Sequence, residues 1–398
     1  PDAEPLRRFG IHVRENDTAA ADWVTYETNR PRVFAGGDLV TGASNVSSTM
    51  ATGKEAARAI DAERASGFRY GQRAYLVQLR RAGAGTLLID PMACPDLGPL
   101  NEAIGDAEWI LHAATQDIPC LAAVGMRPTT LFDTELAGRL AGLPRVGLGA
   151  MVEHYLGHSL AKEHSAADWS TRPLPRPWLV YAALDVEVLL ELRHAVADDL
   201  VRQDKWEWAR QEFEALLTFD GPPTRTDPWR RTSGIHKVRK RRVLANVREL
   251  WLERDDLAAA RDVSPRRVLP DAALILIALG GPAAFAPSRP AMGAPRGLGG
   301  ADPAPLVVPK SARRHQRNWL RALERAAAVP EAELPPLTLP SVGPPPPRLW
   351  AERDPQAAAR LDAVRAELTA YATHHSVPLE NLVVPDTLRR LLWQAEWE

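Results

Sequence analysis

Short apolar runs alternate with helical patterns between residues 61 and 115. Apolar residues dominate 74–79, 85–90 and 108–113, and a helix is predicted at about 97–105. Short apolar runs bounded by turn signals are typical of buried strands. The pattern therefore predicts an α/β or α+β domain whose first elements are strands.

The pattern becomes helical further along the chain. From residue 116 to about 197, apolar residues recur every three or four positions, which predicts helices that cover the sheet. Beyond about residue 205 we expect helices and connectors, because proline and glycine are concentrated at 286–310 and 335–348.

Composition places the chain among soluble globular proteins. Its 398 residues exceed what one core normally serves, so two or three domains are expected. The apolar runs are shorter than the roughly 20 residues that span a bilayer, and no signal peptide is visible. Cys94 and Cys120 stand in no disulfide or zinc pattern. We therefore predict a cytoplasmic protein that has no membrane partner.

Asp61 and Glu63 stand one residue apart before the apolar run at 74–79. In an extended chain their side chains point to one side, where both can hold a hard cation such as Mg²⁺ or Mn²⁺. The alternative is solvated charge on a surface strand. Residues 51–60 are rich in helix formers, and in a helix the two carboxylates would lie about 200° apart. We predict a strand from about residue 57, because pairing with 74–79 overrides this local preference.

Two further carboxylates occur in suggestive places. Asp117 follows the strand-like run at 108–113 and begins a helix, where an acidic residue also simply complements the helix dipole. Tyr181 and Asp185 are four residues apart, so they stack on one face of a predicted helix. A carboxylate on a face that packs needs a partner, although an exposed Asp on an amphipathic helix is the alternative.

The order of these residues resembles the DEDD superfamily of 3′–5′ exonucleases, in the subclass whose third motif is Y-x₃-D. The segments HAATQDIPCLAAVG, LFDTELAGRLAGL, HSAADWSTRPLP and WLVYAALDVEVLLEL resemble ribonuclease D. The segment WRRTSGIHKVRKRRVLANVRELW and the helices after it resemble the HRDC module of RecQ-type helicases and ribonuclease D. Residues 381–393 are similar to 267–279, which indicates a second, fainter HRDC-like module.

The resemblance implies a ribonuclease H-like α/β exonuclease domain with a mixed sheet, followed by all-α HRDC-like modules. It implies a metal-dependent 3′–5′ exoribonuclease, with tRNA precursors as expected substrates. Asp61, Glu63 and Asp185 would hold one Mg²⁺ or Mn²⁺, while Asp61 and Asp117 would hold a second, partly through water. Tyr181 would orient or help deprotonate the attacking water. The alternative is a catalytically impaired nucleic-acid-binding HRDC protein, because the segment before Asp61 departs from the family pattern.

Basic residues are concentrated between Trp229 and Arg248, where no Asp or Glu interrupts them. Such a cluster can neutralise phosphates and bind RNA, or DNA, without sequence preference. The exonuclease segment supplies scattered cations such as Arg69, Arg73, Arg80 and Arg172. The predicted nucleic-acid-binding residues are Arg230, Arg231, Lys237, Arg239, Lys240, Arg241 and Arg242.

Residues 1–60 resemble the C-terminal end of the flavin-binding domain in reductases of the glutamate synthase small-subunit type. In that resemblance Asp38 would contact the flavin. No G-x-G-x-x-G follows a predicted strand, so we expect no flavin or nicotinamide cofactor. A fusion and a sequence join both remain open.

The predicted domains follow from these patterns, and the oligomeric state is left open. They are an irregular reductase-like fragment at 1–56, the exonuclease domain at 57–205, a linker at 206–234, an HRDC domain at 235–285, a Pro-rich connector with one helix at 286–350, and a second HRDC-like module at 351–398.

Overall fold

The computed structural model forms two compact units. The first comprises residues 1–65, 73–222 and 341–398, and the second comprises 66–72 and 223–340. The residues that the structure describes are 58–81, 85–160, 166–285, 308, 310–339 and 343–393, together with 7–8, 10–14, 20, 28 and 33–36 near the N-terminus. Asp38, predicted from the reductase resemblance, lies outside the described residues.

The first unit contains a mixed six-stranded sheet of order β1-β4-β3-β2-β5-β6. Pairing is antiparallel from β1 through β2 and parallel from β2 through β6. The strands are β1 Val33–Gly36, β2 Arg58–Arg64, β3 Ala74–Arg81, β4 Gly85–Ile89, β5 Glu108–Leu111 and β6 Thr130–Asp133.

The segment around Asp61 is a strand, as predicted. Strand β2 begins at Arg58, close to the expected start near residue 57, and it pairs with β3 on one side and β5 on the other. Ala59 and Ile60 are both fully buried, in cores on opposite faces of the sheet. Two-sided pairing and burial thus outweigh the helix preference of residues 51–60, since propensity is a weak prior.

Helices cover both faces of this sheet. One core joins Trp109 and Ile118, and the other joins Phe132 to Leu192 and Phe213. The helices are α1 Gly98–Ala103, α2 Ile118–Ala122, α3 Thr134–Leu140, α4 Leu148–Leu156, α5 Arg176–Glu187, α6 Leu189–Arg202 and α7 Trp206–Leu216.

The structure corrects two predicted boundaries. Val33–Gly36 adds an edge strand to the sheet, although residues 1–56 were predicted to be irregular. Helix α7 occupies the first part of the predicted linker at 206–234, where Phe213 packs against Phe132 with ring centroids 4.7 Å apart. The unit that carries the sheet therefore includes residues on both sides of the predicted 57–205 domain.

The second unit is helical. Helix α8 packs against α10 and α12, and its core includes the fully buried Trp319 of α12. The one helix predicted in the 286–350 connector is thus part of a packed core. The helices are α8 Arg241–Ala260, α9 Pro265–Val268, α10 Asp271–Gly280, α11 Lys310–Arg313 and α12 Gln316–Ala328.

The C-terminal helices belong to the first unit. Trp350, Leu361, Leu388 and Leu392 form their core. A Cβ added at Gly142, which has a φ of +85°, would collide with the carbonyl oxygen of Ser376. The helices are α13 Trp350–Arg353, α14 Pro355–His374, α15 Leu379–Leu382 and α16 Pro385–Trp393. Among the described residues no helix combines the length and apolarity that a bilayer span requires.

Candidate active site

Three predicted carboxylates meet at one edge of the sheet. Asp61 and Glu63 project from β2 and Asp185 projects from α5, and one oxygen from each lies within 4.8 Å of the others. A hard divalent cation binds oxygen at about 2.0–2.6 Å, so oxygens at this separation can share one ion. The alternation of β2 therefore produces the chelating pair that its sequence predicts.

Asp117 joins this cluster from the neighbouring strand. Strands β2 and β5 are parallel, so their C-terminal ends lie at the same edge of the sheet. Asp117 follows β5, begins helix α2 and is 4% exposed. Burial raises the pKa of Asp117, and repulsion from Asp61 raises it further, as expected of neighbouring carboxylates. All four predicted carboxylates thus face one site.

Two polar residues that sequence analysis missed hold these carboxylates in place. The buried Gln78 on β3 donates from Nε2 to Asp61 Oδ2 at 3.2 Å. Asp133 ends β6 and accepts from the amides of Ala113 and Ala114, at 3.1 and 2.8 Å, in the turn that leads to Asp117. Asp133 also caps α3, a role that the Asp-Thr pair after a strand signals in the sequence.

Tyr181 lies beside Asp185, one turn earlier on α5. The phenol donates a hydrogen bond to the carboxylate, which lowers the pKa of Asp185 and raises that of Tyr181. Helix α5 packs across β2, β3 and β4, and its Ala182 and Val186 are buried. This packing fixes the face that carries the predicted Tyr-x₃-Asp pair.

Burial raises the pKa of every carboxyl in the cluster, and repulsion from neighbouring carboxylates adds to this at Glu63, Asp117 and Asp185. Burial, then Asp61, Asp185 and Asp117, raise the pKa of Glu63 to about 10. Burial and Asp61 raise the pKa of Asp185 to about 7 despite the Tyr181 hydrogen bond. Burial also raises the pKa of Asp61. Raised pKa values on neighbouring carboxyls favour a bound cation, because its charge offsets their mutual repulsion.

Glu63→Gln should stabilise the metal-free protein. An acid whose folded pKa exceeds its unfolded value costs stability as pH rises through the interval between them, here from 4.5 to about 10. The amide cannot ionise, so we expect the free energy of unfolding in EDTA at pH 8 to rise by about 1–3 kcal/mol. The gain should be smaller at pH 6. Urea unfolding at both pH values measures it.

Glu191→Gln, at an exposed position on α6, is the matched control and should change the free energy of unfolding little. In excess Mn²⁺ the wild-type protein should be more stable than Glu63→Gln, because the ion stabilises the intact carboxylate set by mass action. Equal or lower stability of Glu63→Gln in EDTA at pH 8 would contradict the electrostatic account.

Arg172, one of the predicted scattered cations, is a structural residue. Its guanidinium binds both oxygens of Asp90 at 2.7 Å, and Asp90 is 1% exposed. It also donates to the carbonyls of Tyr75, Trp169 and Thr171. These bonds tie the segment before α5 to β3 and to the end of β4. They engage the guanidinium of Arg172 within the first unit.

The predicted nucleic-acid-binding cluster contains arginines that bond to other parts of the second unit, and exposed cations that do not form an ion pair with any described residue. Arg230 bonds Asp227 and the Pro336 carbonyl, and Arg241 bonds the Leu334 carbonyl.

Arg242 binds the carbonyls of Ala326, Ala327 and Val329 at the end of α12, together with Glu331. These hydrogen bonds give Arg230, Arg241 and Arg242 a structural role, and their part in binding nucleic acid stays a prediction. The other cluster members are exposed and form no ion pair with any described residue. These are Arg231, Lys237, Arg239 and Lys240.

Three family models match the chain. A model described as 3′-5′ exonuclease matches residues 41–200, and one described as HRDC domain matches 243–284. A third, described as 3′ to 5′ exonuclease C-terminal domain, matches 343–398. The HRDC match lies inside the predicted 235–285 domain. The second HRDC-like module and the reductase-like character of residues 1–60 stay predictions.

Similar proteins agree with these models. A ribonuclease D of Granulibacter bethesdensis is 29% identical over 309 residues, 76% of this chain and 72% of the relative. A ribonuclease D of Shewanella sp. is 33% identical over 201 residues, 49% of this chain and 52% of the relative.

Among solved structures, Escherichia coli RNase D, titled an exoribonuclease involved in structured RNA processing, matches with 25% identity and a TM-score of 0.60 over 86% of both chains. A protein from Bifidobacterium adolescentis matches with 40% identity and a TM-score of 0.72, also over 86% of both chains.

Proposed function

Because the chain is a ribonuclease D-like 3′–5′ exonuclease with an HRDC domain, we propose that its carboxylate cluster cleaves RNA with two divalent cations. Asp61, Glu63 and Asp185 would hold one ion, while Asp61 and Asp117 would hold the other, partly through water. Bound ions of this kind activate the attacking water and stabilise the leaving 3′ oxygen. Each cycle releases one nucleoside 5′-monophosphate.

One observation carries the proposal: side chains from β2, the start of α2 and α5 converge although they are far apart in sequence. Four carboxylates, largely withdrawn from water, have raised pKa values and so favour a cationic partner. Oxygen donors alone suit Mg²⁺ or Mn²⁺ rather than the softer zinc or copper ions. The residues present therefore fit the proposed cofactor.

Tyr181 orients the water rather than deprotonating it. Burial, the charge of Asp185 and the hydrogen bond that the phenol donates to it raise the pKa of Tyr181, which disfavours its ionised form. A neutral phenol oxygen can still accept a hydrogen bond from a water at the cluster. The proton of that water passes to solvent or to an acidic side chain.

The substrate is proposed to be RNA with a free 3′ end, and tRNA precursors are the expected class. The exposed cations Arg231, Lys237, Arg239 and Lys240 of the second unit can bind its phosphates without sequence preference. The rival proposal, a catalytically impaired binding protein, required Asp61 and Glu63 to diverge on a helix. Their shared site on β2 favours the enzyme.

A 5′-labelled single-stranded RNA tests the proposal. With Mn²⁺ we expect stepwise shortening from the 3′ end and release of nucleoside 5′-monophosphates, and with EDTA we expect neither. A 3′-phosphorylated RNA of the same sequence is the matched control and should be degraded more slowly. RNA binding without release in Mn²⁺ and in Mg²⁺ would support the rival, and endonucleolytic fragments would refute the 3′–5′ direction.

A further inference from the structure

Arg64 is the last residue of β2 and directly follows Glu63. In a regular strand its side chain would point to the face opposite that of Glu63. The register shifts between these two residues, since Glu63 is opposite Leu76 and Arg64 is opposite Ala74. The extra residue, Tyr75, lies in β3, so the ladder is disrupted where β2 ends. At this end of β2 the Arg64 guanidinium donates from Nη2 to Gln116 Oε1 at 2.9 Å, beside Asp117.

The positive charge of Arg64 lies within electrostatic reach of the carboxylate cluster. It lowers the pKa of Asp61, Glu63 and Asp117 against the larger effect of burial. Among the described residues, however, its hydrogen bond to Gln116 is not accompanied by an ion pair within 4.0 Å. Arg64 therefore stands beside the carboxylates without being bound by them.

Arg64 and Arg172 differ in how many of their guanidinium N–H groups form hydrogen bonds. Arg172 uses its guanidinium N–H groups on Asp90 and on three carbonyls, as a structural arginine does. A guanidinium has five N–H donors, and the bond to Gln116 uses one of them. The other donors of the half-buried Arg64 are available to a ligand at the cluster.

The balance of charges at the site indicates which ligand the remaining N–H donors of Arg64 bind. Four ionised carboxylates carry four negative charges, and two divalent cations carry four positive charges. Once the ions are bound, the charge of Arg64 is left over at the site. The incoming phosphodiester carries one negative charge, and guanidinium N–H groups match phosphate oxygens in geometry.

We propose that Arg64 binds a non-bridging oxygen of the scissile phosphate, in an orientation set by Gln116. The inference rests on the proposed function, because the phosphate arrives with the RNA 3′ end. After cleavage that phosphate is the 5′-phosphate of the released nucleotide. The contact therefore persists in the product, and it can be measured without turnover.

Titration of the full-length protein with AMP in saturating Mn²⁺ tests the proposal. Arg64→Ala should weaken AMP binding by about 10- to 100-fold, because a charge-assisted hydrogen bond is lost. Arg64→Lys should recover part of this loss, and Gln116→Ala should weaken AMP binding only a few-fold. Binding of adenosine, which has no phosphate, and of Mn²⁺ without nucleotide should not weaken in any variant. kcat/KM on RNA should fall in parallel with AMP affinity.

Arg210→Ala is the matched control, because Arg210 is exposed and pairs only with Glu207 and Glu214 in the described residues. AMP affinity of Arg64→Ala within twofold of the wild type would overturn the proposal. A parallel loss of Mn²⁺ affinity would also overturn it, because Arg64 would then order the carboxylates instead. A wild-type protein that binds AMP with Mn²⁺ but shortens no RNA would refute the proposed function and leave this contact standing.

Discussion

Asp61→Asn or Asp185→Asn should lower nucleotide release by on the order of 10³-fold or more, while each variant stays folded. Each substitution removes a charge from the group that holds the proposed ions, and ion binding supplies several kcal/mol of transition-state stabilisation. Asp61 should show the larger effect, because it is proposed to contact both ions. Initial rates of mononucleotide release from a labelled RNA in Mn²⁺ measure the loss.

Asp198→Asn on α6 is the matched control, because Asp198 is exposed and stands outside the cluster. It should keep wild-type activity. The two site variants should still bind RNA within a few-fold of the wild type, since the cations proposed to bind its phosphates are unchanged. Near-normal turnover in either site variant would refute the two-ion assignment.

The resemblance to DEDD exonucleases singled out the four carboxylates and Tyr181, and spacing set a shared face for two pairs of them. Asp61 and Glu63 share a face through strand alternation, and Tyr181 and Asp185 share one through the helical turn. Local sequence could not show that these faces meet. The parallel pairing of β2 with β5 joins residues about fifty positions apart, and it places Asp117 at the same edge of the sheet as Asp61 and Glu63.

The basic cluster shows the opposite limit of sequence reasoning. Charge density predicts phosphate binding, but it does not reveal which arginines have carbonyl partners. Arg241 and Arg242 bind carbonyls more than eighty residues away. Arg64 illustrates the same limit, because its partner Gln116 is 52 residues away and local sequence does not show the contact.

Arg172→Ala should lower the free energy of unfolding by about 3–5 kcal/mol. The substitution leaves Asp90, which is 1% exposed, without its cation, and an uncompensated buried charge is strongly unfavourable. It also removes the bonds to the Trp169 and Thr171 carbonyls that fix the segment before α5. Because α5 carries Tyr181 and Asp185, kcat should fall although Arg172 lies outside the carboxylate cluster. Urea unfolding and steady-state kinetics measure the two effects.

The double variant Asp90→Asn/Arg172→Met separates charge from packing. With both charges gone, the penalty for the buried carboxylate disappears. The double variant should therefore be more stable than Arg172→Ala by at least about 2 kcal/mol. Arg145→Ala breaks an exposed pair with Glu153 at 3.9 Å, and as the control it should cost at most about 1 kcal/mol. A loss below about 1 kcal/mol for Arg172→Ala would show that the Asp90 carboxylate finds another partner. A normal kcat in an unstable Arg172→Ala protein would show that sheet packing alone positions α5.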